Sequence, residues 1–223
     1  MDPASRLSAV LFDLDGTLLD TAPDMLAALD QLLAEESREP LEYDFGRAHV
    51  SNGALGLIDV AFGKLGQAHR LSLRDRYLVL YEHHLAKRTV PFEGMDTVLE
   101  HLEQAHIRWG IVTNKPTHLT EPLLDALGLL SRCGCVVSGD TLPERKPHPQ
   151  PLLHAAELIG VEPAQAMYVG DADRDIQAGR AAGMMTVAAA YGFIMPGDDP
   201  AAWQADHCID SPVELLTLVD RYA

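Results

Sequence analysis

Residues Ala9-Val10-Leu11-Phe12 form an unbroken apolar run, and Asp13-Leu14-Asp15-Gly16-Thr17 follows it directly. A strand with no polar alternation is one buried on both faces of a parallel sheet. The two acids at i and i+2 then fall where the strand leaves the sheet, the edge at which open α/β folds bind ligands. Gly16 permits a sharp turn there. Either aspartate alone reads as an ordinary Asx turn. The five residues together, behind a buried strand, read as a site.

The pattern then changes period. Pro23 opens a helical stretch with Met25, Leu26, Leu29, Leu32 and Leu33 on one face, ending near Glu36. A turn at 38–41, a short segment over 43–50 and the Ser51-Asn52-Gly53 turn lead to a second apolar helix, 54–62, and a long helix is expected over 73–87. No strand pattern occurs between Pro23 and Arg88. From Pro91 onward helices and strands alternate: helix 95–105, strand 107–112, helix from Thr117 or Glu121 to Leu127, strand 135–137, helix 151–159, strand 166–169, helix 172–182, strand 185–189, edge strand 205–209 and a closing helix 213–222. Such alternation defines an α/β doubly wound, Rossmann-like parallel sheet. The expected organisation is a core of residues 1–19 and 90–223 with an all-helical cap, 20–89, inserted over the sheet's carboxyl edge.

A length of 223 residues suits one core with a sizeable insertion, and 47% hydrophobic with 22% charged residues is a globular composition. The formal net charge of −16 argues against nucleic acid or an anionic membrane surface as partner. Cys133, Cys135 and Cys208 form no regular framework and read as free thiols in a reducing compartment. The first six residues lack a signal-peptide pattern, and the longest apolar candidate, 184–195, is interrupted by Thr186 and Gly192 and too short to span a bilayer. These features point to the cytoplasm; oligomeric state is not legible.

Three strands end in polar residues at the ligand-binding edge: Asp13 and Asp15, then Thr113 and Asn114, then Asp171 with Asp173 and Asp175 beyond. Lys146-Pro147-His148-Pro149 lies in a loop before a helix. Singly, Thr113 and Asn114 are helix-capping types, Asp171 and Asp173 first-turn acids, and Lys146 a surface lysine. Jointly they describe a site. Two carboxylates about 4 Å apart repel by about 4 kcal/mol at an effective dielectric of about 20, so clustered acids raise a pKa or imply a metal. All-oxygen ligation points to Mg²⁺. A calcium loop starting at Asp171 fails, because its sixth position is Ile176 rather than Gly and its twelfth Ala182 rather than Glu. With Mg²⁺ the set suits phosphoryl transfer. Asp13 is a candidate nucleophile and Asp15 a candidate acid and base; Thr113 and Asn114 are hydrogen-bond donors to the phosphoryl oxygens, and Lys146 neutralises charge.

The set Asp13-Leu14-Asp15-Gly16-Thr17, Val112-Thr113-Asn114-Lys115, Lys146-Pro147 and Gly170-Asp171-Ala172-Asp173-Arg174-Asp175 resembles the four motifs of the haloacid dehalogenase-like hydrolase superfamily, in order and across essentially the whole chain. The helical insertion resembles that family's cap. Val112-Thr113-Asn114-Lys115-Pro116 and Lys146-Pro147-His148-Pro149 are most similar to phosphoglycolate phosphatases. Tyr191-Gly192-Phe193-Ile194, with Pro196, Asp199, Pro200, Trp203 and Ala205-Asp206, looks like N-acetylmuramic acid 6-phosphate phosphatases. The resemblance implies Asp13 as nucleophile, Asp15 as acid/base, and Mg²⁺ held by the Asp13 carboxylate, the Asp15 backbone carbonyl and Asp171, with Asp175 one layer behind. It directs the cap residues Arg47, Ser51, Asn52 and Gly53 toward a substrate carboxylate.

Among alternatives, a dehalogenase expels halide, which needs no proton, so Asp15 favours a phosphatase. A sugar-phosphate mutase would need cap contacts to a second phosphate, whereas the basic residues expected near the cap rim are chiefly Arg47 and Lys64. A phospho-receiver domain would carry its phospho-acceptor later and no helical insertion, and a non-catalytic binding module would have lost a motif. The expected activity is a Mg²⁺-dependent phosphomonoesterase working through an aspartyl-phosphate on a small phosphorylated metabolite. Hydrolysis of 2-phosphoglycolate to glycolate and phosphate is the leading reaction, with N-acetylmuramic acid 6-phosphate or a sugar phosphate as alternative substrates.

Overall fold

The computed structural model describes residues 6–223. Its centre is a six-stranded, all-parallel sheet of β1 (Ala9–Phe12), β4 (Arg108–Val112), β5 (Val136–Val137), β6 (Ala166–Gly170), β7 (Met185–Ala189) and β8 (His207–Ile209), in the order β5-β4-β1-β6-β7-β8. β1 is central: Ala9 pairs with Arg108 on one side and Ala166 on the other. All four of its side chains are fully buried, as its apolar run requires.

Alternation along β1 assigns the two faces. Val10 and Phe12 join a core with Trp109, Ile111, Met167 and Val169 beneath helices α5 (Met95–Gln104), α6 (Thr117–Ala126) and α9 (Glu214–Tyr222). Ala9 and Leu11 face the opposite layer, where α7 (Gln150–Ile159) and α8 (Asp173–Ala182) pack on Val112, Val137 and Tyr168. Helices thus cover both faces and leave the strands' carboxyl ends open. Cys135 packs where a Cβ on Gly110 would come within 2.5 Å of its sulfur, and all three cysteines are free thiols. Among the described residues, no helix is long and apolar enough to cross a membrane.

The insertion is a helical cap of α1 (Ala22–Glu35), α2 (Tyr43–Ala48), α3 (Gly53–Phe62) and α4 (Gln67–His84), with a 3₁₀ turn at Val50–Asn52. The chain leaves and re-enters the core through a two-stranded antiparallel ribbon, β2 (Leu19–Asp20) with β3 (Val90–Pro91). The cap has its own core of Leu29, Leu32, Leu57, Ile58, Leu73, Tyr77 and Tyr81, which Leu119 and Phe193 reach from below. α4 differs from the expected 73–87. It begins at Gln67, in a polar stretch whose first turn buries nothing, and ends at His84, because Leu85 turns extended and Ala86 takes φ 58°. α6 starts at Thr117 and carries Pro122 within it.

Candidate active site

β1 delivers Asp13 to the carboxyl edge, where its N–H donates to Val169 O at 2.9 Å. Asp13 Oδ1 accepts from Leu14 N at 2.7 Å and lies 2.8 Å from Lys146 Nζ; among the described residues Oδ2 accepts no hydrogen bond. Gly16 then turns the chain at φ +86°, and a Cβ there would stand 2.0 Å from Asp171 Oδ2. Gly192 closes the other side, where a Cβ would fall 2.3 Å from Asp171 Cβ. Both glycines are needed because the acidic end of β6 is wedged between the two loops.

The ligand atoms of Asp13, Asp171 and Asp175 lie within 4.8 Å of one another, all three residues buried. One cation serves two of them. Lys146, its side chain 1% exposed, reaches Asp13 and Asp175 at 2.8 Å each and donates to Tyr168 Oη at 2.7 Å and Val112 O at 2.9 Å. Lys146 is therefore not the surface lysine that its loop position alone implies. Asp175 also accepts from Ala172 N at 3.1 Å, tying the start of α8 to this pair. Asp171 has no ion pair among the described residues. It accepts from Ser51 Oγ at 2.6 Å, Phe193 N at 2.9 Å and Thr17 Oγ1 at 3.4 Å. Burial, then the carboxylates of Asp13 and Asp175, push its carboxyl up to about 7. A cluster of oxygen donors with surplus negative charge fits a hard divalent cation. The Asp15 carboxylate stands apart from this cluster.

A cavity of about 440 Å³ opens on Asp13. Asp13, Asp15, Thr113, Asn114, Lys115, Arg145 and Arg174 line it from the core; Ser51, Asn52, Gly53, Arg74, Tyr77 and Tyr81 line it from the cap. Asn114 is largely occupied in bracing the lysine loop, because its side chain accepts from Lys146 N at 3.1 Å and donates to Lys146 O at 3.0 Å. Thr113 Oγ1 accepts from Lys115 N at 3.1 Å. Asp173 is exposed and receives a hydrogen bond from Gln177, one turn along α8.

Arg47 is not among the lining residues. Its guanidinium lies 4.8 Å over the Phe193 ring, 3.4 Å from Gly192 O and 3.7 Å from Asp20, so it braces the cap–core joint. Neither Arg47 nor Lys64 lines this cavity; α4 brings Arg74 to it, with Nε and Nη2 of its guanidinium donating to Asp75. Lys115, Arg174, Tyr77 and Tyr81 also line the cavity, and sequence pattern alone gives them no role. Arg174 donates to Ser51 O at 2.7 Å, joining core to cap. Its position between Asp173 and Asp175 was the available signal, as was the i, i+4 spacing of Tyr77 and Tyr81 on one helix face.

A doubly wound sheet with three buried aspartates and a lysine at its carboxyl edge, beneath a helical lid, is the architecture of a capped phosphoryl-transfer hydrolase. Comparison with known proteins agrees. A family model described as haloacid dehalogenase-like hydrolase matches residues 10–189. A phosphoglycolate phosphatase of Xanthomonas campestris is 49% identical over 207 residues, covering 93% of this chain and 94% of the relative. An N-acetylmuramic acid 6-phosphate phosphatase of Pseudomonas aeruginosa is 42% identical over 217 residues, covering 97% and 96%. The solved structure of a predicted phosphoglycolate phosphatase from Haemophilus somnus superposes with a TM-score of 0.84 at 26% identity, covering 95% of this chain and 97% of that one. The chain belongs to the haloacid dehalogenase-like hydrolase family, and within it to the phosphatases.

Proposed function

We propose that the protein hydrolyses 2-phosphoglycolate to glycolate and phosphate through an aspartyl-phosphate on Asp13. The observation that carries this reading is the environment of Asp13. One carboxylate oxygen is pinned by Leu14 N and Lys146, while the residue lines the cavity and its second oxygen is left for attack. In the first half-reaction Asp13 Oδ2 bonds to phosphorus, the phosphorus–ester-oxygen bond breaks, and Asp15 gives its proton to the departing oxygen. In the second, Asp15 takes a proton from water, the water oxygen bonds to phosphorus, and Asp13 leaves as a carboxylate. Lys146 stays on Asp13 throughout and restrains its charge. Mg²⁺, held by the Asp13 carboxylate, the Asp15 backbone carbonyl and Asp171, would neutralise phosphoryl charge against this acidic cluster. Thr113 offers a hydroxyl to the phosphoryl oxygens. Arg145 and Arg174 supply the positive charge that a carboxylate-bearing ester calls for, and Ser51, Asn52 and Gly53 form the cap edge over it.

The relative named for phosphoglycolate supports this substrate. One observation favours a second reading. A cavity of about 440 Å³ walled by Tyr77, Leu78, Tyr81 and Leu119 exceeds what a two-carbon acid fills, and suits an amino-sugar acid such as N-acetylmuramic acid 6-phosphate. Free thiols and the acidic surface suit a cytoplasmic location. The test is kcat/KM for the two esters, with glucose 6-phosphate as control. A value for 2-phosphoglycolate at least tenfold above the others is expected; the reverse order transfers the assignment to the sugar acid, and equal low values defeat both.

A further inference from the structure

Lys115 follows Thr113 and Asn114, yet its ammonium is paired outside the carboxylate cluster. The side chain is 4% exposed, and Nζ lies 3.0 and 3.3 Å from the two oxygens of Asp15 and 2.9 Å from Tyr81 Oη. Three acceptors use the three hydrogens of an ammonium. The backbone is equally constrained: Lys115 N donates to Thr113 Oγ1 at 3.1 Å, and Lys115 O accepts from Gly139 N at 2.8 Å. Tyr81 comes from the other domain. It is 1% exposed in α4, stacked with Tyr77 at 6.2 Å between centroids, and burial first, then the charges of Asp15 and Asp24, hold its phenol neutral. A core lysine is thus fixed between a cap tyrosine and the aspartate two residues beyond the nucleophile.

We propose that Lys115 is a positioning residue for proton transfer: it aims the Asp15 carboxyl at the ester oxygen, and through Tyr81 it makes that aim depend on the cap being seated on the core. The inference rests on the phosphatase chemistry proposed above and extends it. As the bond from Asp13 Oδ2 to phosphorus forms, the electron pair of the breaking phosphorus–oxygen bond goes to the departing oxygen, which takes the proton of the Asp15 carboxyl; the carboxylate this leaves is the ion-paired partner of Lys115 seen in the structure. Lys115 keeps its own protons and supplies hydrogen bonds that hold Asp15 in place. Its contribution therefore scales with the leaving group's need for a proton, which sets it apart from a group that binds phosphate or simply packs the joint.

The experiment uses three esters that put nearly the same ring in the cavity: p-nitrophenyl, phenyl and benzyl phosphate, in rising order of leaving-group basicity. The value of kcat/KM reports the first half-reaction for each. For Lys115→Met, a loss within about threefold is expected on p-nitrophenyl phosphate and of at least about thirtyfold on benzyl phosphate. Tyr81→Phe, which keeps the buried ring, should show the same gradient at smaller size and carries the test if Lys115→Met does not fold. Equal losses along the series, or no loss, overturn the inference while leaving the phosphatase reading intact. A wild-type protein inactive on all three esters and on 2-phosphoglycolate overturns both, and activity surviving in Asp13→Asn overturns the reading on which the inference rests.

Discussion

At the scale of single residues, the balance of charge around Lys146 decides both stability and chemistry. Its ammonium holds two buried carboxylates, Asp13 and Asp175, at 2.8 Å each. Removing one partner of a buried pair leaves the other charge uncompensated, which typically costs about 3–5 kcal/mol. Lys146→Met should therefore lower the urea midpoint by a stability loss of that size as well as abolish turnover. A fully stable Lys146→Met protein would show that the two aspartates are neutralised by other means. Asp13→Asn poses the opposite case, because Lys146 keeps Asp175 as its counter-charge and the amide keeps the shape and can still accept from Leu14 N. Its melting temperature should stay within a few degrees of wild type while kcat falls on the order of a thousandfold or more. Retention of more than a few per cent of activity on p-nitrophenyl phosphate would remove Asp13 as the nucleophile.

At the scale of elements, the cap is fastened to its return strand by one buried acid. Asp24, fully buried in the first turn of α1, accepts from Arg88 N and Thr89 N at 2.9 Å and from Thr89 Oγ1 at 2.8 Å. Asp24→Ala leaves those donors unpaired beside the β2–β3 ribbon, and each buried unsatisfied group costs about 1–3 kcal/mol. The expected loss is about 3 kcal/mol in denaturant unfolding with an unchanged m-value; a fall in m would instead show the cap unfolding on its own. β1 and β6 were legible because buried parallel strands must be continuously apolar, and the acids that end them stand out against that background. α4 was legible only from Leu73, since its first turn, Gln67-Ala68-His69-Arg70, makes no buried contact to leave a periodic trace. The burial of Lys146 and the Lys115–Asp15–Tyr81 contact were not legible. They join residues 22 to 133 positions apart, and no local period encodes which elements meet across a sheet edge. The same holds for Arg47: nothing local in 43–50 encodes the direction that α2 takes over Phe193.

At the scale of the whole molecule, a chain of net charge −16 concentrates three buried carboxylates where it must receive an anion. Asp171 carries the unmet part of that charge. Its carboxyl is raised from an ordinary 3.8 to about 7, burial being the first cause, so between those values the folded protein holds a proton that the unfolded chain has released. The state that binds more protons is favoured by acid, so the chelated protein should lose stability as pH rises through that window and stay at the lower level above it. A divalent cation reverses this penalty by binding only the folded form, contributing about 2.7 kcal/mol at a hundredfold excess over its Kd. For a chain of this length that is a rise of roughly 5–10 °C in melting temperature. Asp171→Asn separates the two effects. At pH 8 in chelator the variant should melt at or above the wild type, because it buries a neutral amide in place of a carboxylate, and Mg²⁺ should then add little. A wild type indifferent to Mg²⁺, or an Asp171→Asn variant that gains as much as the wild type, would detach Asp171 from the metal and leave its buried charge without a purpose.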